Sequence, residues 1–300
     1  MAHVYLVGYG AHRQSIEHMI ELDKTGADAT LFSPDAGLID AQAWLLQLDY
    51  AAKSNPLFQA QLDQVKQTLL SVLPDVSDVR IVGPGARDAK ATATPSSALV
   101  ECETPYGWVP MDQLSLGYQS TLTWVVDLVA RMYHRYPESE NPLAEPVVVL
   151  IDELDLHLHP RWQREVIGYL SARFPKAQFI ATAHSPLVVQ AAEGANIAVF
   201  RREGDHVVID QDHQNIRGWR VDQLLTSDLF GLESARSPEV AAQRARRIEL
   251  LNTPQRSPAQ EAELAKLREA LSALPTESTP EKQRALDLLT QALGHLKAGP

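Results

Sequence analysis

Asp152 and Glu153 stand side by side at the end of an apolar run, Val147 to Ile151, so a buried strand here runs straight into two carboxylates. Acids so placed can do phosphate chemistry. The first anchors a divalent cation, and the second polarises a water for attack on a terminal phosphate. The plainer alternative is a central strand that merely stops at an acidic turn.

Two further segments bear on the choice. Upstream, Leu114-Ser115-Leu116-Gly117-Tyr118-Gln119-Ser120 precedes apolar positions Leu122, Val125, Val126, Val129, Met132, Tyr133 and Tyr136 at the helical period, so Ser115 and Gly117 crown a helix N-terminus. Unpaired N–H groups and a partial positive charge at such an end suit a phosphate, although Ser115 could serve simply as an N-cap. Downstream, a second apolar run, Phe179 to Ala183, ends in His184-Ser185-Pro186. Residues 161–174 between the two runs carry Trp162, Val166, Ile167 and Leu170 at helical spacing, which makes a β-α-β unit. Its right-handed crossover predicts both strand ends on one sheet edge. Glu153 and His184 are expected to converge there, where α/β sheets bind ligands.

A metal cage competes for the same residues, since Asp152, Glu153, Asp155, His157, His159 and His184 fall in two strand-end loops. Leu156 and Leu158 alternate with the histidines, and Pro160 opens a helix, so the segment reads more simply as a loop entering that helix than as a tight Zn or Mn site. A phosphate cradle of the form Gly-x-x-x-x-Gly-Lys-Ser/Thr does not occur in the 300 residues. The glycine clusters Gly8 to Arg13 and Gly83 to Arg87 have neither its spacing nor its lysine.

With turn, acid pair and histidine in this order, the chain resembles the ABC-type ATPases, in particular the RecF-like and OLD-like soluble branch, including AAA family bacterial defence ATPases of the Septu type. Leu114 to Ser120 is similar to the signature loop, Leu150 to Glu153 to the Walker B strand end, Asp155 to Pro160 to the D-loop and His184 to the switch histidine. Tyr5 to Arg13 and Leu31 to Ala51 share the likeness, which covers roughly residues 1–230.

The resemblance implies an α/β fold of the P-loop NTPase (ABC ATPase) kind: a mainly parallel sheet with a helical lobe, its N-terminal part missing, plus a C-terminal helical hairpin. It implies ATP and Mg2+ as ligands, Asp152 as metal anchor, Glu153 as general base and His184 as sensor of the γ-phosphate and attacking water. Ser115, Gly117 and Gln119 would meet a nucleotide held by a facing subunit, and Asp155 and His159 would contact the dimer interface. A homo-oligomer, dimer or higher, follows, with a nuclease partner and DNA as further candidates. In that family the cradle lies upstream of the stretch matching Tyr5 to Arg13. The chain therefore reads as the C-terminal portion of such an ATPase without Walker A, through a start codon placed too late, a split gene or decay. The alternative is a non-catalytic assembly subunit that keeps the signature face and does not hydrolyse ATP.

Composition sets the remaining bounds. A chain of 300 residues with 45 % hydrophobic content can bury a sizeable core. Cys102 is the single cysteine, and neither a basic-then-apolar leader nor an 18-residue apolar run is present, which fits a reducing cytoplasm and no membrane. The net charge of −11 argues against a nucleic-acid coat over the whole surface. Residues 236–300 hold ten Lys/Arg against eight Asp/Glu, a balance of +2 that leaves −13 for the body, and Arg244, Arg246 and Arg247 read as a solvated helix face.

The domain expectation is a partial ATPase domain over 1–235, with a helical lobe at 40–75 and the motifs at 112–190, followed by a helical tail at 236–300. The pattern predicts a strand at Val4 to Val7, a helix near Gln14 to Leu22, helices at 40–53 and 57–73, and a loop at 83–97. Leu99 to Glu103 with Trp108 to Val109 forms one expected hairpin. Asn196 to Arg201 with His206 to Asp210 forms another, closing the sheet edge. Leucines on either side of Pro275 to Pro280 predict an antiparallel helix pair.

Overall fold

A computed structural model describes residues 4–24, 26–85, 97–192, 194–211 and 218–272, with the single positions 216, 274 and 289. The first elements are β1 (Leu6–Tyr9), α1 (Ala29–Phe32), α2 (Ala41–Ala52), α3 (Pro56–Val72), β2 (Asp78–Val82), β3 (Leu99–Thr104), β4 (Gly107–Pro110) and α4 (Leu116–Arg135). They are followed by β5 (Val147–Ile151), α5 (Pro160–Gln163), α6 (Val166–Arg173), β6 (Ala177–Ala181), α7 (Pro186–Ala191), β7 (Val199–Glu203), β8 (His206–Asp210), α8 (Val221–Leu225), α9 (Pro238–Asn252) and α10 (Pro258–Ser272). Contacts divide the chain into two compact units, Met1–Trp219 and Arg220–Pro300.

The first unit is α/β. Its parallel sheet has the order β1-β5-β6, in register Val7 with Val149 with Phe179 and Tyr9 with Ile151 with Ala181. Side chains alternate across a strand, so these positions share one face. Val7, Tyr9, Val147, Val149 and Ile151 are buried on it, and the Tyr9 ring packs at a tilt of 51° against Trp124 of α4, centroids 5.6 Å apart. Helix α4 runs through the core with Leu122, Trp124, Val125, Val126, Leu128, Val129 and Met132 all buried. The opposite face is apolar but more open, with Leu6 40 % and Ile180 53 % exposed.

Local signals explain the helical lobe. Asp40 caps α2 by accepting from the Ala43 N–H at 3.0 Å, and Asn55 caps α3 by accepting from the Leu57 N–H at 3.0 Å with Pro56 in the first turn. Gln14 to Leu22 is not a helix. Its backbone is taken by the segment before α2, with the Ile16 N–H donating to the Leu38 carbonyl and the Leu38 N–H donating to the Gln14 carbonyl, at 2.9 and 2.8 Å. The helix expected over 161–174 is interrupted, because Arg164 and Glu165 donate three residues back, to Arg161 and Trp162, and start a tighter turn between α5 and α6.

The β3–β4 hairpin forms and acquires a third antiparallel strand, β2. The β7–β8 hairpin forms around Gly204, whose φ of 64° suits glycine, but it pairs only with itself and does not extend the parallel sheet. In the second unit α9 packs on α10 through Leu250, Leu251 and Leu264, and Arg246 bonds Glu263 at 2.8 and 3.0 Å. A reversal at 253–257 joins these two helices, whereas the break expected at Pro275 to Pro280 and the helix expected after it fall on 275–288 and 290–300, outside the described residues. Among the described residues no helix is long and apolar enough to cross a membrane.

Glycine at position 10 is a packing requirement. A Cβ there would lie 2.0 Å from the Thr30 carbonyl oxygen, where α1 crosses the end of β1, and Thr30 Oγ1 also accepts from the Gly10 N–H at 3.2 Å. Gly10→Ala must push backbone from backbone, and the expected cost is about 1–3 kcal/mol. A lowered midpoint in urea denaturation would register it, and an unchanged midpoint would show that α1 can move aside.

Candidate functional site

The site sits at the C-terminal edge of the parallel sheet, where three strand ends meet. Asp152 and Glu153 follow β5, Thr182 to His184 follow the adjacent β6, and Gly10 to Arg13 follow β1 on the other side. Pairing continues past the strands: the Asp152 N–H donates to the Tyr9 carbonyl at 2.8 Å, the Thr182 N–H to Ile151 at 3.0 Å and the Leu154 N–H to Thr182 at 2.9 Å.

The side chains knit these ends together. Thr182 Oγ1 donates to Asp152 Oδ1 at 2.7 Å and accepts from the Glu153 N–H at 2.8 Å. The Asp155 carboxylate accepts from the His184 N–H at 3.2 and 3.3 Å. The acid step and His184 thus share one edge. Asp152 and Glu153 are half-buried and His184 is exposed, so the imidazole and the acids are open to a ligand.

The segment between Glu153 and α5 links this edge to the turn ahead of α4. A Cβ on Gly117 would sit 2.4 Å from the His157 carbonyl oxygen, so glycine alone allows the two segments to touch. His157 itself adopts a φ of 61°. Gln119 Nε2 donates to the carbonyls of Asp112 and Leu114, both at 2.7 Å, bracing the turn from within. Ser115 is the extended N-cap residue of α4, is exposed, and makes no side-chain capping bond. His159 is the N-cap of α5, its Nδ1 accepting from the Arg161 N–H at 3.3 Å. Ser115, Gly117, Asp155, Asp152, Glu153 and His184 therefore lie along one continuous run of contacts. Gly117 is buried, while Gln119, Asp155 and His159 spend polar atoms within their own chain. Among the described residues no group of three or more His, Cys, Asp or Glu side chains is placed to hold a metal ion.

Two residues of the site escaped the motif reading. Arg13 is 5 % exposed, its Nε donates to the Gly10 carbonyl at 3.0 Å, and its Nη2 donates to the carbonyls of Asp152, at 2.6 Å, and Glu153. Burial lowers its pKa from the ordinary arginine value, opposed by the charges of Asp152, Glu153 and Asp155. Thr182 is the second. Their signal was positional only: both follow strands that flank β5.

Residues 48–190 match the family described as "AAA domain, putative AbiEii toxin, Type IV TA system". A Septu protein PtuA of Bacillus mycoides (strain KBAB4) is 37 % identical over 163 residues, 54 % of this chain and 22 % of that protein. The Septu protein PtuA of Bacillus thuringiensis is 35 % identical over 141 residues, 45 % of this chain and 35 % of that one. A retron Ec83 probable ATPase of Escherichia coli is 43 % identical over 89 residues, 30 % of this chain and 16 % of that protein. These matches make the chain similar, over a part of its length, to AAA/ABC-type ATPases of bacterial defence systems. It spans a minor part of these relatives' length, 22 %, 35 % and 16 % in turn.

Proposed function

We propose that this chain forms the hydrolytic edge and the trans-acting face of a nucleotide-sandwiching ATPase. The contact run from Asp152-Glu153 through Asp155 and His157 to Gly117 carries the reading, because it sets an acid pair, an exposed imidazole and the exposed Ser115 at a helix N-terminus on neighbouring segments.

Glu153 acts as general base on the attacking water and His184 contacts the γ-phosphate. Asp152, an oxygen ligand oriented by Thr182, fits a hard cation and would hold Mg2+. Such an ion, when bound, neutralises charge that develops on the transferred phosphoryl group. Ser115, Gly117 and Gln119 present the N-terminus of α4 to a nucleotide held by a second copy, with Asp155 and His159 beside that interface. The assembly is a homodimer or a higher oligomer, serving phage defence or a DNA transaction and acting with a nuclease.

The 300 residues contain no Gly-x-x-x-x-Gly-Lys-Ser/Thr cradle, the loop whose lysine and amides grip the β- and γ-phosphates. Calorimetry of MgATP with the 300-residue chain alone is expected to show weak binding or none. Adding the polypeptide that carries the cradle tightens it. Tight binding by the chain alone would contradict this division of labour. The same absence favours a second reading, a subunit that assembles without hydrolysing; no phosphate release in any mixture would select it.

A further inference from the structure

We propose that Arg13 is a positioning residue: by taking the main-chain oxygens of Asp152 and Glu153 it holds Glu153 in a left-handed backbone conformation, which fixes where that carboxylate projects. Glu153 has a φ of 49°, a region that residues with a side chain enter at a cost unless their surroundings hold them there. The surroundings hold it at both ends of the residue. Its N–H donates to Thr182 Oγ1 at 2.8 Å, and its carbonyl receives Arg13 Nη2.

The arginine is itself fixed. Its Nε bonds the Gly10 carbonyl at 3.0 Å, and Gly10 cannot shift because α1 lies against it. A buried guanidinium is costly unless it is hydrogen-bonded, and this one bonds the carbonyls of Gly10, Asp152 and Glu153 through Nε and Nη2. The end of β1 therefore constrains the end of β5, strand to neighbouring strand. The catalytic meaning of the clamp rests on Glu153 acting as proposed above; the clamp does not.

A stability cycle tests it without any nucleotide. Urea denaturation of the full chain can be followed by tryptophan fluorescence, since all five tryptophans fall within Met1–Trp219. Glu153→Gly removes the penalty of the left-handed conformation only where that conformation is enforced. The midpoint change caused by Glu153→Gly should therefore be more stabilising, by about 0.3 M, when Arg13 is present than when Arg13→Met is combined with it. Arg13→Lys, which keeps a cationic donor, should give an intermediate difference, and it carries the test if Arg13→Met does not fold. Equal Glu153→Gly changes in all backgrounds would overturn the proposal, whatever the outcome for hydrolysis.

Discussion

Asp127→Ala is expected to cost about 3–5 kcal/mol, the loss that follows when one partner of a buried ion pair is removed. Asp127 is fully buried in the middle of α4, bonded to Arg131 Nε at 2.6 Å and to the Tyr9 hydroxyl at 3.0 Å, and it accepts from the Ile39 N–H at 3.4 Å. The alanine would leave a guanidinium that is 4 % exposed without its carboxylate, and a buried phenol without its acceptor. Burial, with the charge of Asp127, already holds the Tyr9 pKa well above its ordinary value; burial lowers that of Arg131, but Asp127 outweighs it and the net shift is upward. Domains are stable by only about 5–15 kcal/mol, so the variant should lose a large share of its stability and unfold at a much lower denaturant concentration. A double replacement, Asp127→Leu with Arg131→Met, should recover much of the loss, because apolar side chains of similar size carry no stranded charge. Chemical denaturation of both variants checks the pair. A cost below about 1 kcal/mol for Asp127→Ala would mean that the network is idle.

The same network shows where the sequence could be read and where it could not. Val147 to Ile151 declared itself as a strand because it is apolar and runs into two acids; the apolar run Phe179 to Ala183 signalled the second strand, which lies two residues earlier, over Ala177–Ala181. Asp40 and Asn55-Pro56 announced helix starts by type. Asp127 showed only as a charge interrupting an apolar helix; its partners at positions 9 and 39 are remote in sequence, and only packing brings them together. Gln14 to Leu22 has helical composition, but pairing with the segment around Leu38 consumes its backbone bonds. Strand β2 was missed for a similar reason: Asp78 to Val82 is a strand because β3 offers it a partner. Arg13 lay in plain view beside two glycines, yet a guanidinium aimed at carbonyl oxygens follows no short spacing rule.

Glu153→Gln carries the second large effect. Glutamine has the shape of glutamate but cannot accept a proton from water, and loss of a general base lowers turnover by about 10²–10⁴-fold. The fold should be indifferent to the change. Glu153 is held through its main chain, by Thr182 Oγ1 on its N–H and by Arg13 and the Leu156 N–H on its carbonyl, and none of these bonds involves the carboxylate. Phosphate release by the assembled ATPase should collapse while the urea midpoint stays where it is. Equal loss of both would mark Glu153 as a structural residue.

The proposed function puts the γ-phosphate against the edge formed by the ends of β5 and β6 and against the α4 turn of a second copy. Photo-crosslinking with an ATP analogue bearing an azide on its γ-phosphate, applied to the ATP-bound assembly and mapped by mass spectrometry, tests it directly. Label is expected in the peptides containing Asp152 to Pro160 and Thr182 to Pro186, and in the peptide containing Leu114 to Ser120. Label confined to other segments, with those three peptides unmodified, would contradict the account.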